Sequence, residues 1–160
     1  GSVWHNDFSL SAAKYYLKHI ASDGSPLHTL DLGGNPTDFV VVNSGNGDCW
    51  RINGSWLFGY TNQAVNKANR YVGIPIKSAS TNSADGTVWV AAYDAANGGH
   101  VIHYPSGSSG GALWDGTGFT EPSCVSVYSA DGSVWVAQPS TNEVIHLAAD
   151  GSESWRGDTF

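Results

Sequence analysis

A chain of 160 residues and 16.9 kDa is one domain's worth of polypeptide, long enough to bury roughly 70% of its unfolded surface. Only 13% of it is charged, and seven Lys and Arg against fourteen Asp and Glu give a net charge of −7, which argues against a nucleic-acid or anionic-membrane surface. Seven Trp, seven Tyr and five Phe exclude the aromatic-poor composition of a disordered chain, and no apolar run approaches the ~20 residues of a membrane span.

Read from its start, the chain repeats itself, and the repeat is the first thing to explain. Gly1-Ser2-Val3-Trp4 returns as Gly47-Asp48-Cys49-Trp50, Gly86-Thr87-Val88-Trp89 and Gly132-Ser133-Val134-Trp135, with the Trp residues 46, 39 and 46 apart. In the first unit, residues 1–34, a strand runs through Trp4, and residues 8–19 read either as a short helix or as an insertion followed by a strand ending near His19. Asp23-Gly24 then marks a turn. The second unit, residues 35–72, has Pro36, a β-rich run over 39–42, a Gly45-Asn46-Gly47 turn and the Trp50 strand, and its polar residues 63–71 read as a loop or a helical turn.

The third unit, residues 73–119, places a β-rich run over 74–79 around Pro75, then Asp85-Gly86, the Trp89 strand and a strand through His103. A weaker fourth strand lies at Leu113-Trp114, and residues 107–111 form a Ser/Gly loop. The fourth unit, residues 120–160, repeats this order with Pro122, a run over 124–128, Asp131-Gly132, Trp135, His146, Asp150-Gly151 and Ser154-Trp155. Asp-Gly and Asn-Gly are the strongest short hairpin signals, because type I′ turns need positive φ. About four strands in each unit of ~40 residues describes the blade of a β-propeller. The expectation is therefore a single all-β domain over residues 1–160, built of four four-stranded blades, with the first blade lacking its innermost strand.

The end at Asp158-Thr159-Phe160 matches Thr117-Gly118-Phe119, which precedes an innermost strand. The missing strand leaves an unpaired edge. Membership of a larger ring, or assembly with another chain that completes the propeller, is expected over a closed four-bladed ring.

The run Asp131-Gly132-Ser133-Val134-Trp135-Val136-Ala137, with Asn142 to His146 and Asp150-Gly151-Ser152 after it, resembles an NHL-type repeat and the related repeat of virginiamycin B lyase-like propellers. The third unit resembles it too. The segment Cys49-Trp50-Arg51-Ile52-Asn53-Gly54-Ser55-Trp56 is instead similar to a tectonin repeat. These resemblances imply a blade, and they span functions from protein, RNA and glycan binding to lyase chemistry.

Candidate site residues follow from the repeat. Asp38 and Lys77 stand two residues after their Pro, Glu121 stands just before Pro122, and all three are placed to converge at one mouth of the central channel. His5 and Arg51 occupy the position held by Val90 and Val136 in the other units, and such departures from a repeat mark candidate ligand contacts; Arg51 could clamp a carboxylate. Tyr60, Tyr93 and, on the fourth strands, Trp114 and Trp155 are candidates to stack on sugar rings. His19, His103 and His146 are equivalent but lie on outer strands of different blades, so no metal site is predicted, and no cofactor pattern is present. Cys49 and Cys124 are expected as buried free thiols.

The leading expectation is a non-catalytic binding module for a glycan or protein ligand. The alternatives are an enzyme of the lyase or lactonase propeller class, with a polar or metal-assisted site at the channel, and a structural subunit completing a larger propeller. The Asn, Ser, Thr, Gly and Trp richness points to a secreted or cell-surface protein.

Overall fold

Residues 1–107 and 110–158 are described by a computed structural model, and among them all regular structure is β-strand. Thr159 and Phe160, and Ser108 and Ser109 of the Ser/Gly loop, lie outside the described residues. The first sheet holds β1 (Val3–Ser9), β2 (Lys14–Ile20) and β3 (Pro26–Asp31). The second holds β4 (Phe39–Val42), β5 (Cys49–Asn53), β6 (Trp56–Tyr60) and β7 (Asn66–Tyr71). The third runs β8 (Ile76–Thr81), β9 (Val88–Asp94), β10 (Gly98–Tyr104), β11 (Trp114–Phe119), and the fourth β12 (Cys124–Tyr128), β13 (Ser133–Gln138), β14 (Glu143–Leu147), β15 (Glu153–Gly157). Each sheet is an antiparallel meander in chain order, and the first is one strand short.

Two local readings are decided by the structure: over residues 8–19 the strand holds and the helix does not, and over 66–71 a strand replaces the loop or helical turn. Residues 8–19 contain no helix. They form the hairpin of β1 and β2, whose register pairs Phe8 with Tyr15 and whose turn puts Ala13 at φ 50°. The two rings meet at 4.7 Å, and this cross-strand aromatic contact outweighs the helical propensity of the Ala-Ala-Lys stretch. The polar residues 66–71 form β7, because its alternation buries Ala68 and Arg70 while Asn69 and Tyr71 face out.

The repeated Asp-Gly-Ser/Thr motif is a turn clamp. Asp85 Oδ1 accepts hydrogen bonds from the N–H and the hydroxyl of Thr87, both at 2.8 Å. Asp23 does the same for Ser25, and Asp150 for Ser152. These bonds hold the Asp23, Asp131 and Asp150 carboxyls below the usual range. The acids thus serve backbone geometry.

Blades meet face to face, and the repeated Trp explains how. Trp4 belongs to a cluster with Cys49 and Tyr60 of the second blade. Trp50 joins Val88, Val90 and Ile102 of the third, and Trp89 joins Val134, Val136 and Ile145 of the fourth. The leading face of each blade carries the Trp, and the trailing face of the next covers it. In three blades the Trp stacks on the paired His at 4.2 to 4.3 Å: Trp4 on His19, Trp89 on His103, Trp135 on His146. The second blade has Gly59 there, and a Cβ at Gly59 would come within 2.9 Å of the Trp50 ring. Lys67 and Arg70 sit over that ring instead.

Trp4, Trp50 and Trp89 are at most 5% exposed, whereas Trp135 is 43% exposed. Three interfaces join the four blades, and among the described residues no closely packed strand pair joins the fourth blade to the first. Cys49 is buried, its thiol pushed up to about 12 by burial. Cys124 departs from the expectation of burial and is exposed, because it faces out from the uncovered leading side of the fourth blade.

Two outcomes test this account. Replacing Trp89 by Ala opens a cavity in a covered interface and should cost about 3–5 kcal/mol in urea unfolding; Trp135→Ala should cost much less. His103 is buried with Nε2 unpartnered, and burial lowers its pKa. The unfolded chain therefore binds this proton first. Stability should be at its full value above about pH 6.5 and fall as pH drops below it. His103→Gln should flatten that slope.

Candidate functional site

The repeated Pro brings each inner strand in at the same end of the molecule, and the side chains at that end frame an open pocket between the third and fourth blades. Its volume is about 510 Å³, and it is lined by Lys77 and Tyr93 from one blade and by Glu121, Pro122, Ser123, Pro139 and Ser140 from the other. Lys77 reaches it through a bulge. Ile76 pairs with Ala92 and Ser78 with Ala91, so Lys77 is the extra residue, and an unpaired residue is free to re-aim its side chain. Tyr93 is fixed from below by its N–H, which donates to the Pro75 carbonyl at 3.0 Å.

Glu121 is held in an unusual backbone conformation. Its φ is 51°, in the left-handed region that costs a non-glycine residue about 1 kcal/mol or more. The surroundings impose it. The Thr120 N–H donates to Gln138 Oε1 at 2.5 Å, the Ser140 hydroxyl donates to the Thr120 carbonyl, and the fully buried Gln138 is anchored on Glu143. The Glu121 carboxylate faces the Tyr93 hydroxyl and holds it above the usual phenol range. Tyr93 therefore stays protonated at neutral pH and acts as a donor. Lys77 also lowers Asp94 through its charge, although Asn97 does most of that work by hydrogen bonding. The pocket thus offers a cation, a carboxylate, a phenol and two hydroxyls beside two flat proline rings.

The other candidates lie elsewhere. Asp38 is outside the pocket lining and accepts the Gly54 N–H at 2.6 Å, closing a loop of the second blade. Arg51 is 3% exposed, donates to the Pro36 carbonyl at 3.1 Å and stacks over Phe58 at 4.2 Å, so it buttresses a turn and meets no ligand-facing surface. His5 is half-buried on the first blade, its Nδ1 against the Asn6 carbonyl. Trp114 is half-buried beside Trp89 and occupies the space a Cβ at Gly151 would need, whereas Trp155 is 46% exposed against Trp135. Tyr93, named in the sequence as an aromatic able to stack on a sugar ring, lines the pocket; Ser123, Pro139 and Ser140 were not among the residues singled out in the sequence.

No known sequence family and no curated protein matches this chain. Solved structures do. Hsv2 of Kluyvelomyces marxianus overlays 100% of this chain on 59% of its own, at a TM-score of 0.73 and 8% identity. A streptogramin B lyase overlays 94% on 53% of its own (TM-score 0.63, 10% identity), and a Bacteroides caccae protein of unknown function 91% on 54% (TM-score 0.58, 16% identity). The fold is a β-propeller. The chain spans between half and three fifths of the length of these structures. At such identities the likeness concerns the fold alone.

Tyr93 and Glu121 provide a direct check. Glu121→Gln removes the facing negative charge and should lower the Tyr93 pKa toward the ordinary phenol value, seen in a pH titration of its ring carbon by NMR. An unchanged midpoint would show that the carboxylate does not face the phenol.

Proposed function

We propose that this propeller is a non-catalytic binding module and that the pocket between its third and fourth blades takes a sugar residue of a glycan. The observation that carries the reading is the convergence of Lys77, Tyr93 and Glu121 from two blades on one open cleft, with Pro122 and Pro139 beside them. Sugar recognition needs an apolar face for the ring and donors and acceptors around its rim. The proline rings supply the first, and the ammonium, phenol, carboxylate and serine hydroxyls supply the second. Glu121 is held in place by a strained backbone and a buried amide, so little order is lost when a ligand arrives.

An enzyme reading finds less support. The lining contains no His or Cys, and Tyr93 is a poor base while its proton is held. A His–carboxylate pair exists at His100 and Asp115, 3.0 Å apart, but it joins the two outer strands of the third blade.

A glycan array followed by calorimetry on the hits tests the proposal. Lys77→Ala and Tyr93→Phe should each weaken binding about five- to tenfold, since each removes one hydrogen-bonding group, with the thermal midpoint unchanged. Absence of any glycan ligand, or full affinity in both variants, would overturn it.

A further inference from the structure

One place on the outer strands is treated differently in each of the last three blades. In the third blade Ala92 pairs with His100 and Val90 with Ile102, and these pair in turn with Thr117 and Asp115. Counted from Trp50, the second blade has Trp56 and Phe58 where His100 and Ile102 stand, and Tyr71 and Asn69 where Thr117 and Asp115 stand. Counted from Trp135, the fourth has Glu143 and Arg156 in the places of His100 and Asp115. The second blade covers the place with rings: Trp56 meets Tyr71 at 4.9 Å and Phe58 at 5.8 Å. The fourth closes it with charge: Arg156 joins Glu143 at 3.2 Å and Glu153 at 2.8 Å. The third blade does neither.

It has instead a cavity of about 250 Å³, set against the link from the second blade. Val72, Ile74 and Ile102 give it apolar walls, and Asn97, His100 and Asp115 are its polar lining. His100 Nδ1 lies 3.0 Å from Asp115 Oδ1, and among the described residues no Lys or Arg pairs with Asp115. A neutral imidazole that donates its Nδ1–H to a carboxylate presents Nε2 as an acceptor. The amide nitrogen of Asn97 donates to both carboxylate oxygens of Asp94, at 2.9 Å each, which leaves the Asn97 side-chain carbonyl as another acceptor. The cavity thus combines aliphatic walls with acceptors only, and one of these is a carboxylate with no cation beside it.

We infer that this cavity binds a small aromatic amine, its ring against Val72, Ile74 and Ile102 and its ammonium at Asp115 and His100. The repeat itself shows both parts of the ligand. The ring gives the cover that Trp56 and Tyr71 give the second blade, and the ammonium gives the cation that Arg156 gives Glu143 in the fourth. An apolar cavity of about 150 Å³ is enough for benzene, so the larger space here holds a ring with a short chain. An anion would meet the Asp115 carboxylate, and a neutral ring would cover that carboxylate without pairing it, which is unfavourable. The net charge of −7 also favours the approach of a cation. The inference is independent of the Lys77 pocket, which lies between other blades, and of its sugar ligand.

The probe is phenethylamine, with phenethyl alcohol as its uncharged counterpart, at about pH 8, above the usual imidazole range. Titration of the whole chain, followed by methyl and imidazole NMR, should show saturable shifts at Val72, Ile74, Ile102 and His100. A ligand of this size should have a dissociation constant on the order of 1 mM. The alcohol should bind about fivefold more weakly, since it lacks the ion pair with Asp115. Asp115→Asn should remove that preference and leave the alcohol's affinity unchanged. His100→Trp installs the second blade's residue and should abolish the shifts from both probes while the circular dichroism keeps its native β spectrum. No saturable shift at these residues, equal affinity for amine and alcohol, or an undiminished preference in Asp115→Asn would overturn the inference. Amine binding by the folded His100→Trp variant would overturn it as well.

Discussion

A twisted four-stranded sheet has two faces, and a blade of some forty residues has no helix or second sheet of its own with which to cover either. The whole molecule is organised by that need. Each blade presents a Trp on its leading face and a set of Val, Ala or Cys side chains on its trailing face, and burial is completed only between neighbours. At about 25 cal/mol per Å² of apolar surface, a buried indole is among the largest single gains available to so small a unit. The same residue type at the same place in the repeat is sealed at Trp89 and open at Trp135, so its contribution is set by the neighbour and not by its own sheet.

The pocket follows from this arrangement. Because blades stack by their faces, the entries of the inner strands are brought side by side, and residues from two blades share one mouth. Lys77 is delivered by a bulge, and Glu121 by a left-handed backbone held from behind by Gln138. Strain of this kind persists only where the surroundings impose it. The edge of β1 is the opposite case, a regular backbone whose partner is not among the described strands.

Much of the fold was legible in the chain. The four Gly-x-Val/Cys-Trp segments located the second strand of every blade, the Pro residues located the first, and the shortage of one strand in the first blade was readable from the register of the repeats. Of the two readings of residues 8–19 the helix failed and the strand ending near His19 held as β2, and of residues 63–71, read as loop or helical turn, 66–71 became β7: in both places cross-strand pairing with a neighbour decided against local propensity. Lys77 and Glu121 were visible as charges beside a repeated proline. Tyr93 was visible as one of several aromatics, but its place beside Glu121 was not, because a tyrosine at a strand end carries no mark of what will face it.

The sequence by itself determined the blade: its strand order, its Asp-Gly turns and the Trp that each blade must bury, since period, turn chemistry and side-chain alternation are local properties. Only the tertiary structure decided which faces are covered, and that Arg51 turns inward to a carbonyl while Lys77 turns outward to a pocket. Those depend on distances between residues far apart in the chain, and a repeat fixes what each unit offers without fixing what stands opposite it.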